Sequence, residues 1–114
     1  MGFIRIYPLK ETTQSAPEIF GKGEPARCYP DSGPGAQDYY LNTFAVAAFE
    51  EIPLYLVFEN DPNNLTDGIR IRLYDNSMLV IPDDAENPEN KFVSLLEKAV
   101  GGATVEMEKS AALG

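Results

Sequence analysis

The chain has no histidine and no tryptophan in 114 residues, and only one cysteine, Cys28. Without histidine it lacks the commonest general base, the commonest zinc ligand and every Ser–His or Cys–His nucleophile pair. A single cysteine excludes an internal disulfide, so nothing in the sequence demands an oxidising compartment. Arg27 beside Cys28 favours a thiolate, but a lone loop cysteine far more often has no chemical role. Long apolar runs are missing too. None approaches the length of a membrane span, and the opening MGFIRI lacks the apolar region of a signal peptide. Cations are scarce: Lys and Arg number 9 against 18 Asp and Glu, for a net charge of −9. Direct nucleic-acid binding relies on basic patches, so this balance argues against it. The expectation is a cytoplasmic protein, or one carried in a particle assembled in the cytoplasm.

Phosphate-binding loops are absent: Gly21, Gly23, Gly33 and Gly35 sit in GKGEP and SGPGA, without the spacing of a P-loop or a dinucleotide fingerprint. In DPNNLTDG, Asp61 and Asn63 match the first two oxygen positions of a calcium loop. Leu65 takes the third, Thr66 the glycine slot and Arg72 the final glutamate position, so a polar turn is the simpler reading. We expect no catalytic residue, no metal and no cofactor.

What the chain does have is a stretch, residues 54–82, that reads as three successive antiparallel strands. In 54–59, Leu54, Leu56 and Phe58 alternate with Tyr55, Val57 and Glu59; in 69–74, Ile69, Ile71 and Leu73 alternate with Arg70, Arg72 and Tyr74. Asp75 and Asn76 tolerate positive φ and predict a two-residue hairpin turn. That turn pairs Leu73 with Met78 and Ile71 with Val80, and places these four on the core face. The opposite face would carry Tyr55, Val57, Arg70, Arg72, Leu79 and Ile81. It is too apolar to face water alone, so we expect residues 8–35 or a partner to cover it.

Residues 3–7 read as a short strand with Ile4 and Ile6 on one face. Residues 8–36 are dense in Pro and Gly, without sustained period, and read as an extended arm anchored by Ile19, Phe20 and Tyr29. Packing on its own domain and reaching onto a neighbouring subunit are evenly balanced. Residues 37–51 read as a helix with Leu41, Phe44, Ala45, Ala48 and Phe49 on one side, ended by Ile52-Pro53. The alternative is a strand folding back on 54–58. A second helix starts at the Asn87 cap with Pro88 and Glu89 in its first turn. It buries Phe92, Leu95, Leu96 and Ala99 and stops at Gly101-Gly102. Residues 103–109 predict a last strand with Ala103, Val105 and Met107 inward.

The order predicts one α+β domain over residues 1–114. It would be an antiparallel sheet of about four to five strands with two helices on one face, a ferredoxin-like variant, plus the irregular N-terminal arm. Residues 1–35 are neutral, so the whole −9 lies in 36–114. Asp83, Asp84, Glu86 and Glu89 form an acidic lip at the entry to the second helix. With the covered face, they are the expected partner-binding residues. The favoured function is a non-catalytic protein–protein interaction protein, a structural or assembly subunit of a phage or other particle, by self-association (a homo-oligomer) or with another protein. The alternative is an acidic inhibitor, of immunity or anti-defence type, that blocks the basic site of a nucleic-acid-handling protein. A small-ligand pocket under the arm, lined by tyrosines, is a weaker third reading.

Overall fold

The structure, a computed structural model, describes residues 2–12, 20–29, 39–58, 64–108 and 110. The chain starts in strand β1 (Phe3–Ile6), where Ile4 and Ile6 are fully buried and Phe3 and Arg5 are half-buried, the alternation expected. β1 is the centre of a three-stranded sheet between β4 (Tyr39–Asn42), antiparallel, and β8 (Thr104–Glu106), parallel. A second sheet has five strands in the order β2 (Lys10–Glu11), β3 (Ala26–Tyr29), β5 (Val46–Leu56), β6 (Asn64–Leu73), β7 (Met78–Pro82). β3 runs parallel to β5, so both sheets are mixed rather than antiparallel. One α-helix, α1 (Phe92–Val100), completes a compact single-domain α+β fold among the described residues. The expected ferredoxin-like arrangement, one sheet under two helices, is not what these residues form.

The first predicted helix is replaced by strand. Within 37–51, the described residues make β4, a single 3-10 turn at Thr43–Ala45, and the first part of the 11-residue strand β5. Alanine's helix preference amounts to a few tenths of a kcal/mol per residue, and pairing with β6 along the length of β5 overrides it. Pro53 lies inside β5, where it was expected to end an element. Val57 N–H donates to the Cys28 carbonyl of β3. The two-residue period therefore points Pro53's missing N–H toward β3 as well, where pairing starts only at Leu54. No bond to β6 is lost.

The hairpin between β6 and β7 has a three-residue turn, and this shifts the register by one. Asn76 N–H donates to the Leu73 carbonyl, Leu73 N–H to the Ser77 carbonyl, and Asn76 takes φ 69°. A left-handed residue in the third loop position is the signature of this turn type. The Asp75 carboxylate accepts from Ser77 N–H at 2.9 Å and from its hydroxyl, which holds the Asp75 carboxyl below its ordinary range. Arg72 therefore pairs with Met78, Ile71 with Leu79, Arg70 with Val80 and Ile69 with Ile81. Leu73 and Leu79 share a face, contrary to the expected pairing of Leu73 with Met78.

The main core lies between the two sheets and α1. Ile69, Ile71, Leu73 and Ile81 of the large sheet meet Ile4, Ile6 and Leu41 of the small one, with Phe92, Leu95, Ala99 and Met107. The second helix was expected to start at Asn87. That cap instead serves a 3-10 turn, Pro88–Asn90, and Lys91 is extended. α1 then starts at Phe92, whose N–H donates to Asp83 at 2.8 Å. Gly102 follows the helix at φ 104°, a conformation that glycine adopts without strain.

Residues 8–12 and 20–29 of the predicted arm pack on their own domain. Leu9 N–H donates to the Val80 carbonyl on one edge of the large sheet, and the next two residues form β2 at the opposite edge, beside β3. The segment thus bridges both edges and curls the sheet around a second apolar cluster of Ala26, Cys28, Ile52, Leu54, Leu56 and Val80. Gly68 lets β6 approach closely: a Cβ there would sit 2.8 Å from Leu54 Cβ. Of the expected anchors, Phe20 is half-buried, Tyr29 is exposed, and Ile19 lies outside the described residues.

Candidate functional site

The register shift breaks up the face on which the sequence placed six partner-binding residues. Leu79 and Ile81 turn to the main core, where Ile81 is fully buried. Arg70 and Arg72 turn the other way, and the chain's own residues meet them. Arg70 is fully buried; its Nη1 donates to the Glu24 carbonyl at 2.9 Å and to Glu50 at 3.2 Å, and its Nη2 lies 3.7 Å from Glu11. Glu50 also accepts from Gly23 N–H at 3.0 Å. Nε and Nη2 of Arg70 have no hydrogen-bond acceptor among the described residues. The Arg72 guanidinium lies 5.2 Å from the Phe20 ring. Tyr55 is half-buried with the Arg27 guanidinium 4.7 Å from its ring, and Val57 is half-buried beside β3. Arg70 and Arg72 are therefore met in cis by Glu11, Glu24 and Phe20, and the pair fastens these parts of the arm to the sheet.

The acidic lip divides as well. Asp83 is buried at the start of α1. Desolvation raises its carboxyl above the ordinary value, against the opposing pull of Phe92 N–H and Lys91, and Glu51 and Asp67 raise it further. Asp84 accepts from the Ser110 hydroxyl at 2.7 Å, while Glu86 and Glu89 are exposed. Two open clefts flank this segment. One, of about 360 Å³, carries Asp84, Glu86 and Glu108 on its walls. The other, of about 390 Å³, has Ile52, Pro53 and Leu65 beside Glu51, Asp67, Asp83 and Lys91, with Lys91 Nζ 3.6 Å from Asp67. No tyrosine lines either.

Burial raises the Cys28 thiol to about 12, with Glu11 adding to the rise and Arg70 opposing it, so the thiolate is unavailable near neutrality. Among the described residues no three His, Cys, Asp or Glu side chains are placed to hold a metal ion. Asp61 and Asn63 lie outside the described residues. No helix among the described residues is long and apolar enough to cross a membrane.

The surface that the sequence reading missed runs through residues 39–49. It is the longest stretch without a charged side chain in this acidic chain. Misread as a helix, it had Phe44 and Phe49 assigned to a buried stripe. In the structure Tyr40 is 56% exposed and Phe44 64% exposed, and Tyr39 and Phe49 are exposed as well. Phe49 keeps one edge on Phe92, with ring centroids 5.3 Å apart. The hairpin tip adjoins this surface: Tyr74 N–H donates to the Ala45 carbonyl, and the Tyr74 side chain is 73% exposed. Tyr40 stands opposite Arg5, which pairs with Glu106 at 3.1 Å, so its surroundings are charge-balanced. Large exposed apolar surfaces rimmed by polar groups mark contacts with proteins, membranes or ligands.

No protein-family model matches this chain, and no curated protein and no solved structure matches it.

Proposed function

We propose that the chain is a non-catalytic protein–protein interaction protein, an assembly subunit of a phage or another particle. The observation that carries this reading is the uncharged, aromatic surface of residues 39–49, with the exposed Tyr74 adjoining it, on a chain of net charge −9. Tyrosine and phenylalanine are enriched at the centres of protein contacts, and a stretch without acids of its own lowers the desolvation cost of closing one. The absence of histidine and the raised Cys28 thiol support a role without catalysis. The test is gel filtration of a lysate from the cells that encode the chain. An assembly subunit elutes in a complex many times the 12.6 kDa monomer. Elution of the whole population as free monomer overturns the reading.

The acidic clefts favour a second reading, that of an inhibitor which occupies a basic protein surface. Asp84, Glu86 and Glu108 on one side and Glu51 and Asp67 on the other offer carboxylates to Lys and Arg of a partner. Under this reading the chain elutes in a small complex that added salt dissociates, because rim charge pairs are screened.

A further inference from the structure

We infer that the cleft walled by Ile52, Pro53 and Leu65 receives one basic side chain, Lys or Arg, of a partner protein, with Asp83 as the buried anchor for its charge. The inference rests on the inhibitor reading above and names the residue at the centre of the contact. Every residue that lines this cleft is among the described ones. It opens beside the start of α1, on the face of the large sheet that carries Ile69 and Ile81. Asp67 stands opposite Pro53, and the Asp83 N–H donates to the Asp67 carbonyl at 2.9 Å. Pro53, Asp67 and Asp83 thus form one row across β5, β6 and the end of β7, and Leu65 lies two residues along on the same face.

The carboxylates of Glu51, Asp67 and Asp83 meet a single cation there. Lys91 Nζ lies 3.6 Å from Asp67 and, among the described residues, forms no ion pair with Glu51 or Asp83. Asp83 is 5% exposed. One of its carboxylate oxygens takes the Phe92 N–H at 2.8 Å, and the other has no donor among the described residues. An asparagine would serve Phe92 equally well. The carboxylate adds a charge that burial opposes first, and Glu51 and Asp67 after it. A buried anion with one open oxygen, lining a cleft, is where a cation gains most. Two features select the form of that cation. Among the described residues these acids are not placed to hold a metal ion, which disfavours a bare ion. The apolar wall, with Leu65 59% exposed, suits the methylene stem of Lys or Arg, which packs on carbon while its head stays with the acids.

The experiment is a titration of the isotope-labelled full chain with n-butylammonium and n-propylguanidinium, the two side chains without their backbone, read by amide NMR shifts. The Phe92 amide reports directly, because Asp83 holds its N–H. We expect at least one of the two ions to shift the Phe92 and Asp83 amides saturably, with a Kd on the order of 10 mM. Tetramethylammonium, a cation without donors, and n-butanol, a stem without charge, should each bind about fivefold more weakly or less. Asp83→Asn keeps the acceptor for Phe92 and should weaken binding by about tenfold or more. Glu86→Gln, in the other cleft, should leave it unchanged. No saturable shift with either ion overturns the inference, as does equal binding by Asp83→Asn, by tetramethylammonium or by n-butanol. A salt-sensitive small complex in the source lysate, without binding of either ion, removes this inference alone. Binding of either ion by a chain that elutes in a large, salt-resistant complex removes the inhibitor reading and leaves the cleft to a basic side chain of another subunit.

Discussion

The two faces of β6 come from alternate residues of one strand, yet different physics holds them. Ile69, Ile71 and Leu73 face a continuous apolar core shared with the small sheet and α1. Gly68 and Arg70 face the curled side, where a backbone approach at van der Waals distance and a buried guanidinium between two carboxylates do the holding. The first face is non-directional, so one apolar side chain can stand in for another of similar volume. The second depends on individual atoms. Burying the Arg70 charge is costly unless Glu11, Glu50 and the Glu24 carbonyl stay in place, so the arm and the sheet fix each other's position. The same strand thus supplies stability on one side and the position of the arm on the other.

The largest way to break this contrast is to remove the charge alone. Arg70→Met should cost about 3–5 kcal/mol in urea unfolding, because Glu11 and Glu50 lose their cation while remaining partly buried. Adding Glu11→Gln and Glu50→Gln should recover much of that loss, and failure to recover would show that packing of the arginine stem matters more than its charge. On the apolar face, Ile71→Ala should cost about 2–5 kcal/mol by cavity formation. Combining Ile71→Ala with Arg70→Met sharpens the comparison. Additivity within about 0.5 kcal/mol means independent faces, and a larger coupling means that strain passes through the strand. Gly68→Ala should be milder, about 1–3 kcal/mol, since its Cβ meets the Leu54 Cβ and Cδ2; calorimetry should show Leu54→Ala relieving only the Cδ2 share of the penalty, because alanine keeps the Cβ.

The smallest expected effect is in pH dependence at the end of β7. Asp83 has a folded-state carboxyl raised above the ordinary value of 3.8, through desolvation first and Glu51 and Asp67 after it. Its contribution to stability is therefore fully present below the unfolded value and is lost as pH rises through the higher folded one. Asp83→Asn keeps an oxygen for Phe92 N–H and removes the desolvated charge. Its melting temperature relative to the parent should rise across that window and stay level on either side, and a flat difference from about pH 3 to about pH 7 would contradict the raised carboxyl. Asp75 has the opposite sign: the Ser77 hydroxyl and N–H lower its carboxyl, so what it adds is lost on acidification.

Much of this architecture was legible from residue order. The alternation in residues 3–7 and 69–74, the apolar stripe of α1 and the glycines after it are local signals, and local signals fix a period and an end. The lack of histidine and the charge imbalance are likewise complete in the sequence. The candidate site was less legible. The acids at 83–89 were visible as a group, but which of them turns inward was not: Asp83 does so because Phe92 N–H needs an acceptor at the start of α1. Partners distant in the chain had to decide the rest. The parallel pairing of β1 with β8 joins residues about a hundred positions apart, and β3 with β5 joins strands separated by β4. No local period encodes either. The register of β7 turned on one backbone angle at Asn76, which sets a three-residue loop and exchanges the two faces of the strand. Residues 46–56 became strand because β6 offers a ten-residue ladder, a gain that exists only after the chain has folded back. Periodicity is a property of neighbours along the chain, whereas register and sheet order are properties of neighbours in space, and the exposed aromatic surface at residues 39–49 depends entirely on the latter.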